Sequence, residues 1–342
     1  MNLVRLQSVQ LKREFAQMPN KYPEKKGWEV PKQKHTITNW ADYNQALRLR
    51  GDITVWMTEE AIQNWLEPKP LYDGTGSPKK FTDFAIRICH EIRLVYRLPL
   101  RQCQGFIDSL FSMQNLSIQC PDYSTLSKRL SHLKISSPRY TQRDRPDESV
   151  HAIAIDSTGL KRFGRGEWHQ EKYKISAKSS WRKLHIAVCD DHYIEGCTLT
   201  DRFHSDESQV EPILEQIEAT VEDFTADGAY DKASVYETVS SHSSDADIII
   251  PPRADAIFDD RHSEARNQNL QEIKTYGRME WQKMQDYGRR NNSELAMYRY
   301  KKIIGNDMHA REFERQKQEA MIACGVLNKM TSLGMPISHR TA

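Results

Sequence analysis

The sequence contains no run of about 18 apolar residues, so nothing in it reads as a membrane-spanning helix. Its first residues, M-N-L-V-R-L-Q-S-V-Q-L-K-R-E-F, lack the apolar core of a signal peptide. The six cysteines stand singly, at positions 89, 103, 120, 189, 197 and 324, and no C-x-x-C pair occurs. That argues against a zinc knuckle or a redox dithiol and for reduced thiols in a cytoplasmic protein. A dominant charge is missing too: 49 basic side chains against 47 acidic ones leave +2.

That near-neutrality averages over unlike regions. Residues 1–150 carry 23 basic and 16 acidic side chains, residues 151–250 carry 10 and 19, and residues 251–342 carry 16 and 12. A basic front part suits a polyanionic partner. An acidic middle suits either solubility or carboxylates gathered for a cation. With 342 residues, 38% hydrophobic and 28% charged, the chain can build two or three domains around a substantial core.

Residues 1–38 read as a basic N-terminal extension. Its pattern allows a short amphipathic helix over 1–18. Residues 19–38 hold three prolines among lysines and aromatics. Proline at this density blocks regular structure, leaving either an arm that tracks phosphates or a solvated linker. Residues 39–134 read as mainly α-helical. Asn39 is placed to cap a helix that Gly51 ends, and Thr58, Glu59 and Glu60 open another. Residues 67–80 read as a loop. Phe81, Phe84, Ala85, Ile88, Ile92, Val95 and Tyr96 follow helical spacing. Between about 98 and 134 come two short helices, the second opened by Pro121 and Asp122. It would turn Ser124, Thr125, Ser127, Lys128 and Arg129 outward and Leu126, Leu130 and Leu133 inward. That suits a helix-turn-helix, and equally an ordinary three-helix bundle. Residues 135–147 form a polar linker and the expected domain boundary.

Past residue 148 the periodicity changes. V-H-A-I-A-I-D-S-T-G-L-K (150–161) opens with a buried-strand run ending at Asp156. Strands over 181–189 and 193–200 follow, then a helix over 207–219. A strand over 223–231 ends in Asp227; a helix over 232–241 and a strand over 246–252 come next. Residues 253–286 read as a charged insertion. In Y-G-R-R-N-N-S-E-L-A-M-Y-R-Y-K (287–301), Asn291, Asn292 and Ser293 are N-caps that put Glu294 in a first helical turn. Phe313, Ala320, Met321, Cys324 and Leu327 mark a closing helix. Three meandering strands followed by alternating helices and strands imply an α/β domain over 148–336, a mixed sheet flanked by helices.

Tyr287, Arg290, Glu294 and Lys301 stay near one helical face, which alone describes a solvated face with i,i+4 pairs. Two aspartates at strand ends change that weighting, because a strand-end carboxylate is costly unless it faces a site. Three carboxylates meeting there repel, and a divalent cation relieves the repulsion. Oxygen ligands suit Mg²⁺ or Mn²⁺, and two such ions serve an in-line phosphoryl displacement.

The stretches A-I-D-S-T-G-L-K, W-R-K-L-H, A-D-G-A-Y-D, I-I-P-P-R and Y-G-R-R-N-N-S-E-L-A-M-Y-R-Y-K resemble, in order, the motifs of DDE transposases of bacterial insertion sequences. The last fits that family's Tyr-x₂-Arg-x₃-Glu-x₆-Lys signature. N-W-A-D-Y-N-Q-A-L-R-L-R-G and P-D-Y-S-T-L-S-K-R-L resemble the family's N-terminal part. The resemblance implies an RNase H-like domain with Asp156, Asp227 and Glu294 as catalytic and metal-binding residues holding two Mg²⁺ or Mn²⁺ ions. It implies that Tyr287, Arg290 and Lys301 contact the transposon-end backbone, with Lys183 and His185 as further DNA-contact candidates. Ser124, Thr125, Lys128 and Arg129 would read the terminal inverted repeats. The expected partners are double-stranded transposon ends and target DNA, with at least a homodimer assembled on them. The expected place is the bacterial cytoplasm, at the nucleoid. The alternatives are an RNase H-like nuclease without strand transfer and a DNA-binding regulator with a vestigial site.

Overall fold

The computed structural model describes residues 34–341 except 72–73, 75–77, 141–149, 163–180, 254 and 260–262. Most of the expected N-terminal arm and the second half of the 135–147 linker lie outside the described residues. The end of the arm is a strand: β1 (Lys34–Ile37) pairs antiparallel with Ser338–Thr341, the last strand, β9. Asn39 stands at the start of the first helix, but its side chain serves that closure and makes no cap bond. Its Nδ2 donates to the Met335 carbonyl at 2.9 Å, and its Oδ1 accepts from the Ile337 N–H at 2.7 Å.

Helices α1 (Trp40–Arg50), α2 (Ile53–Trp56) and α3 (Glu59–Gln63) follow, and the Thr58 hydroxyl caps α3 by accepting from Ala61 N–H. The expected loop at 67–80 is largely a hairpin of β2 (Leu66–Leu71) and β3 (Lys79–Phe81). Pro68 and Pro70 are tolerated there because a two-stranded ribbon leaves N–H positions facing outward. Then come α4 (Asp83–Val95), α5 (Leu100–Met113) and α6 (Tyr123–Arg129), whose first turn is capped by the Asp122 carboxylate at 2.8 Å from Ser124 N.

The mixed sheet has five strands: β4 (Val150–Lys161), β5 (Trp181–Cys189), β6 (Ile194–Asp201), β7 (Val221–Thr225) and β8 (Asp247–Ile249), in the order β6-β5-β4-β7-β8. Strands β4, β5 and β6 are antiparallel neighbours; β7 and β8 run parallel to β4. Helices α7 (Val210–Leu214) and α8 (Ala233–His242) connect the later strands. The apolar run predicts that the strand ends at Asp156; instead Asp156 lies inside it. β5 keeps pairing with β4 as far as Lys161↔Trp181, while β7 leaves it at Ala154↔Thr225. Asp156 therefore lies just beyond the parallel pairing, where β4 and β7 part.

Alternation on the strands builds two cores. Leu160, Leu184, Ile186 and Val188 face one way and pack with Ile322, Val326 and Leu327 of the closing helix and with Trp56, Ile86, Phe111 and Leu126 of the N-terminal region. Ile153, Ile155, Ala187 and Cys189 face the other way, against Val210, Ile213 and Leu214 of α7 and Val235 and Tyr236 of α8. The N-terminal helices thus share a core with the sheet. The near half of the linker is docked as well: Tyr140 lies so close to Gly325 that a Cβ there would stand 2.4 Å from the ring.

The expected insertion is a pair of helices, α9 (Glu264–Tyr276) and α10 (Arg278–Met284). Arg266 pairs with Asp231 at 2.8 Å, and Asn269 donates to the Ile248 carbonyl of β8 at 2.8 Å while accepting from the indole of fully buried Trp281 at 3.1 Å. A 3₁₀ turn over Tyr287–Arg290 leads into α11 (Asn291–Arg299), which continues as a π turn through Ile304. Helix α12 (Phe313–Ser332) closes the first core. No helix among the described residues is long and apolar enough to cross a membrane.

Candidate active site

Three chain segments converge where β4 and β7 part. Ala152 pairs with Asp223 and Ala154 with Thr225, so Asp156 and Asp227 sit at matching heights on adjacent parallel segments. Asp227 lies two residues past β7, and its carboxylate accepts from Ala229 N–H at 2.8 Å, which fixes it at the head of a 3₁₀ turn. The Asp156 carboxylate accepts from Ser157 N–H at 2.7 Å.

The third carboxylate arrives on α11, laid over the sheet face that presents the small side chains Ala152 and Ala154 and then Asp156. Glu294 is in the first turn, as expected, but the expected asparagine caps are absent: helical geometry begins at Asn291, and no side chain caps the end. The preceding 3₁₀ turn removes the need, because its Gly288 carbonyl accepts from Asn291 N–H; the fully buried Ser293 hydroxyl donates back to the Arg290 carbonyl at 2.7 Å.

Arg290 ties the segment that carries Glu294 to Asp156 on β4. One guanidinium nitrogen donates to Asp156 Oδ2 at 3.0 Å, and the other is ion-paired with Glu294 Oε1. Burial raises the Asp156 carboxyl above its ordinary range; Ser157 N–H and Arg290 oppose that shift, while the carboxylates of Asp227 and Glu294 add to it. Asp156 thus feels both other acids. Tyr287 is pinned rather than free: its hydroxyl donates to the Ala226 carbonyl, next to Asp227, at 3.3 Å, and its ring lies 5.6 Å from that of Trp281. Burial pushes that phenol up to about 12. Lys301 lies in the π turn, half-buried, and within the described residues it makes no ion pair with the three carboxylates.

Other candidates sit elsewhere. Residues 183 and 185 are paired with Gly159 and Ser157, so the pleat turns Lys183 and His185 to the face opposite Asp156. His185 is fully buried and bonded to the Thr200 hydroxyl at 2.9 Å; Lys183 is paired with Asp206 at 2.9 Å. Neither is presented to a ligand at the carboxylates. On α6, Lys128 is exposed and Ser124 and Thr125 are half-buried. Arg129 does not point outward as expected: it is paired with Asp83 at 2.5 Å and donates to the Phe81 carbonyl. Sequence reasoning missed Arg289, which binds Asp223 at 2.5 Å and Asp286 at 3.0 Å. Beside the more informative Arg290 it carried no signal of its own.

Among the described residues no group of three metal-ligating side chains is gathered closely enough to hold an ion as it stands. The donor chemistry nonetheless fits a hard divalent cation, since every donor is a carboxylate oxygen. The position between Asp156 and Glu294 is taken by a positive group, the Arg290 guanidinium. It is a stand-in that satisfies the same two oxygens.

Two family models, each described as a transposase DDE domain, match this chain, one over residues 48–165 and the other over residues 151–329, more than half its length. Among solved structures, a piggyBac transposase synaptic complex with hairpin DNA aligns over 86% of this chain and 76% of its own, at 10% identity and a TM-score of 0.36, too distant to inform the fold.

Proposed function

This chain belongs to the DDE transposase family, and from that premise we propose that it binds the terminal inverted repeats of an insertion sequence, cleaves DNA there and joins the freed end to a target. Asp156, Asp227 and Glu294 are the residues that would hold Mg²⁺ or Mn²⁺, and two such ions supply activation of an attacking hydroxyl and stabilisation of a leaving oxygen. The observation that carries the reading is Arg290 bridging Asp156 and Glu294, residues 138 positions apart, beside Asp227. In this proposal the domain over 148–336 is RNase H-like, residues 253–286 are an insertion within it, and residues 39–134, with a helix-turn-helix over about 98–134, read the ends.

Hydrolysis at the transposon end frees a 3′-OH, and that oxygen attacks a target phosphodiester with loss of the target's own 3′ oxygen. The chain's part is positioning and charge. Arg290 reaches a phosphate bidentately when it leaves the carboxylates, and Lys301 holds the backbone farther along α11. Tyr287, pinned to Ala226, keeps the turn before Glu294 seated on β7. Two ends must be brought together, so the working form is at least a dimer on DNA, acting in the bacterial cytoplasm at the nucleoid.

A strand-transfer assay with labelled terminal repeats tests this. Joined product is the expected result; cleavage without joining supports a nuclease, and binding without cleavage a regulator. In the same assay Glu294→Gln should abolish cleavage while end binding stays within a few-fold of wild type. Wild-type cleavage by that variant removes Glu294 from the reacting centre.

A further inference from the structure

We propose that Arg289 is a positioning residue of the reaction, setting where Arg290 and Glu294 meet Asp156. The proposal rests on the reading of Asp156, Asp227 and Glu294 as the reacting centre. Consecutive arginines here grip different parts of the sheet. Arg290 reaches Asp156 on β4, whereas Arg289 Nη1 binds Asp223 Oδ2 on β7 at 2.5 Å. Asp223 pairs with Ala152, four residues before Asp156, so the two anchor points are roughly 13 Å apart along the strands at about 3.3 Å per residue. A short turn held at two points that far apart has little freedom to slide or rotate.

Arg289 does more than hold β7. Its Nε lies 3.0 Å from Asp286 Oδ2 and 3.8 Å from Asp190 Oδ2, in the β5–β6 turn. Asn292, in the first turn of α11, also reaches Asp190, at 3.4 Å. Asp286 has left-handed backbone geometry, φ +48°, and is the residue at which α10 gives way to the Tyr287–Arg290 turn. Such a conformation is costly for a non-glycine residue and persists only where neighbours impose it. The Arg289 bond to the Asp286 side chain is one such restraint. Asp223 in turn lies on the strand that leads to Asp227, so one guanidinium references the Glu294 segment to the strand carrying the second aspartate.

Arg289→Ala, Arg289→Lys and Asp223→Asn test the proposal against wild type and Glu294→Gln. Four quantities are read: cleavage rate on a terminal-repeat duplex, Mn²⁺ affinity of DNA-free protein by electron paramagnetic resonance, end affinity, and thermal midpoint. In Arg289→Ala the cleavage rate should fall about tenfold to a hundredfold, the scale on which a shift of ~1 Å acts, with end affinity within about twofold. Mn²⁺ binding should weaken. Simple electrostatics predicts the opposite sign, since losing a cation near carboxylates tightens cation binding. Arg289→Lys should recover part of the rate, because an ammonium reaches one carboxylate but cannot serve three as a fork. Arg289→Ala in the Asp223→Asn background should cost less than it does alone.

Wild-type cleavage and Mn²⁺ affinity in Arg289→Ala overturn the proposal, and so does a fall in thermal midpoint with no change in either. If Arg289→Ala does not fold, the same outcomes are read from Asp223→Asn and Arg289→Lys. Should Glu294→Gln also cleave like wild type, the reading of the centre fails; should it be inactive while the Arg289 and Asp223 variants are normal, only the positioning role fails.

Discussion

Exchange of Arg290 for glutamine removes the cation that bridges Asp156 and Glu294 while sparing both carboxylates, and it should tighten the binding of Mn²⁺ to the DNA-free protein. The magnitude follows from the exposure of the pairs. The Asp156 side chain is 19% exposed and that of Glu294 52%. An exposed pair contributes about 0.2–1 kcal/mol after solvent screening, so the Glu294 pair belongs at the low end and the more sheltered Asp156 pair near the top. Together they oppose metal entry by about 1–1.5 kcal/mol, equivalent to roughly five- to tenfold in affinity. Electron paramagnetic resonance of free Mn²⁺, or calorimetry at low ionic strength and pH 7.5, measures the change. The same variant should bind transposon ends more weakly, because the guanidinium is then missing from the phosphate. Unchanged or weaker Mn²⁺ binding in Arg290→Gln would refute the competition between guanidinium and metal for these oxygens.

Three further outcomes follow from where the structure places Lys128, Arg129 and His185. Lys128→Ala should weaken end binding and lower the salt slope of log Kd by about one, whereas Arg129→Ala should cost about 1–3 kcal/mol in urea unfolding, because it leaves the Phe81 carbonyl and Asp83 without their partner. His185, fully buried, has its imidazole pKa lowered to about 4, chiefly by burial. Its neutral form is favoured on folding, so its contribution is intact above the unfolded value near 6.5. That contribution, up to about 3 kcal/mol, is lost as pH falls from 6.5 towards 4. His185→Asn should flatten the decline of stability over that window, and an unchanged pH profile of urea midpoints would refute the assignment.

The sheet and its carboxylates were legible because their signals are local. Apolar runs buried on both faces announce β4 and β5, and an acidic residue at the end of such a run is costly enough to stand out. What could not be read is pairing. Nothing in V-H-A-I-A-I-D-S-T-G-L-K says that β5 continues five residues beyond Asp156 while β7 departs, yet that divergence opens the sheet beside the aspartate. The pleat likewise decides against Lys183 and His185: they are one residue out of phase with the carboxylate, and phase across a sheet depends on register. Arg129 and Asn39 were misjudged for a related reason. Each looks like a local device, a recognition side chain or a cap, but its partner lies far along the chain, at residues 81 and 83 for Arg129 and at residues 335 and 337 for Asn39.

The polar stretch 135–147 suggests two bodies joined by a linker, but packing follows hydrophobic complementarity. Leu126 and Ile86 belong to the same core as Ile186 and Val326, and the linker's Tyr140 lies against Gly325 of α12. A more direct tie comes from Arg97, just beyond α4, in a left-handed backbone conformation with φ +54°. Its guanidinium donates to the carbonyls of Lys302 at 2.7 Å and Ile303 at 2.9 Å, at the C-terminal end of the helical stretch that carries Glu294. Carbonyls there have no partner within the helix and carry its negative dipole end, so a cation is the group that satisfies them best. The helix bearing the third carboxylate is consequently held at its start by Arg289 and Arg290 on the sheet, and at its end by an arginine of the N-terminal region. Displacement of that region relative to the sheet would strain a bond that ends one residue from Lys301, so the two parts are mechanically coupled through α11 as well as through their common core.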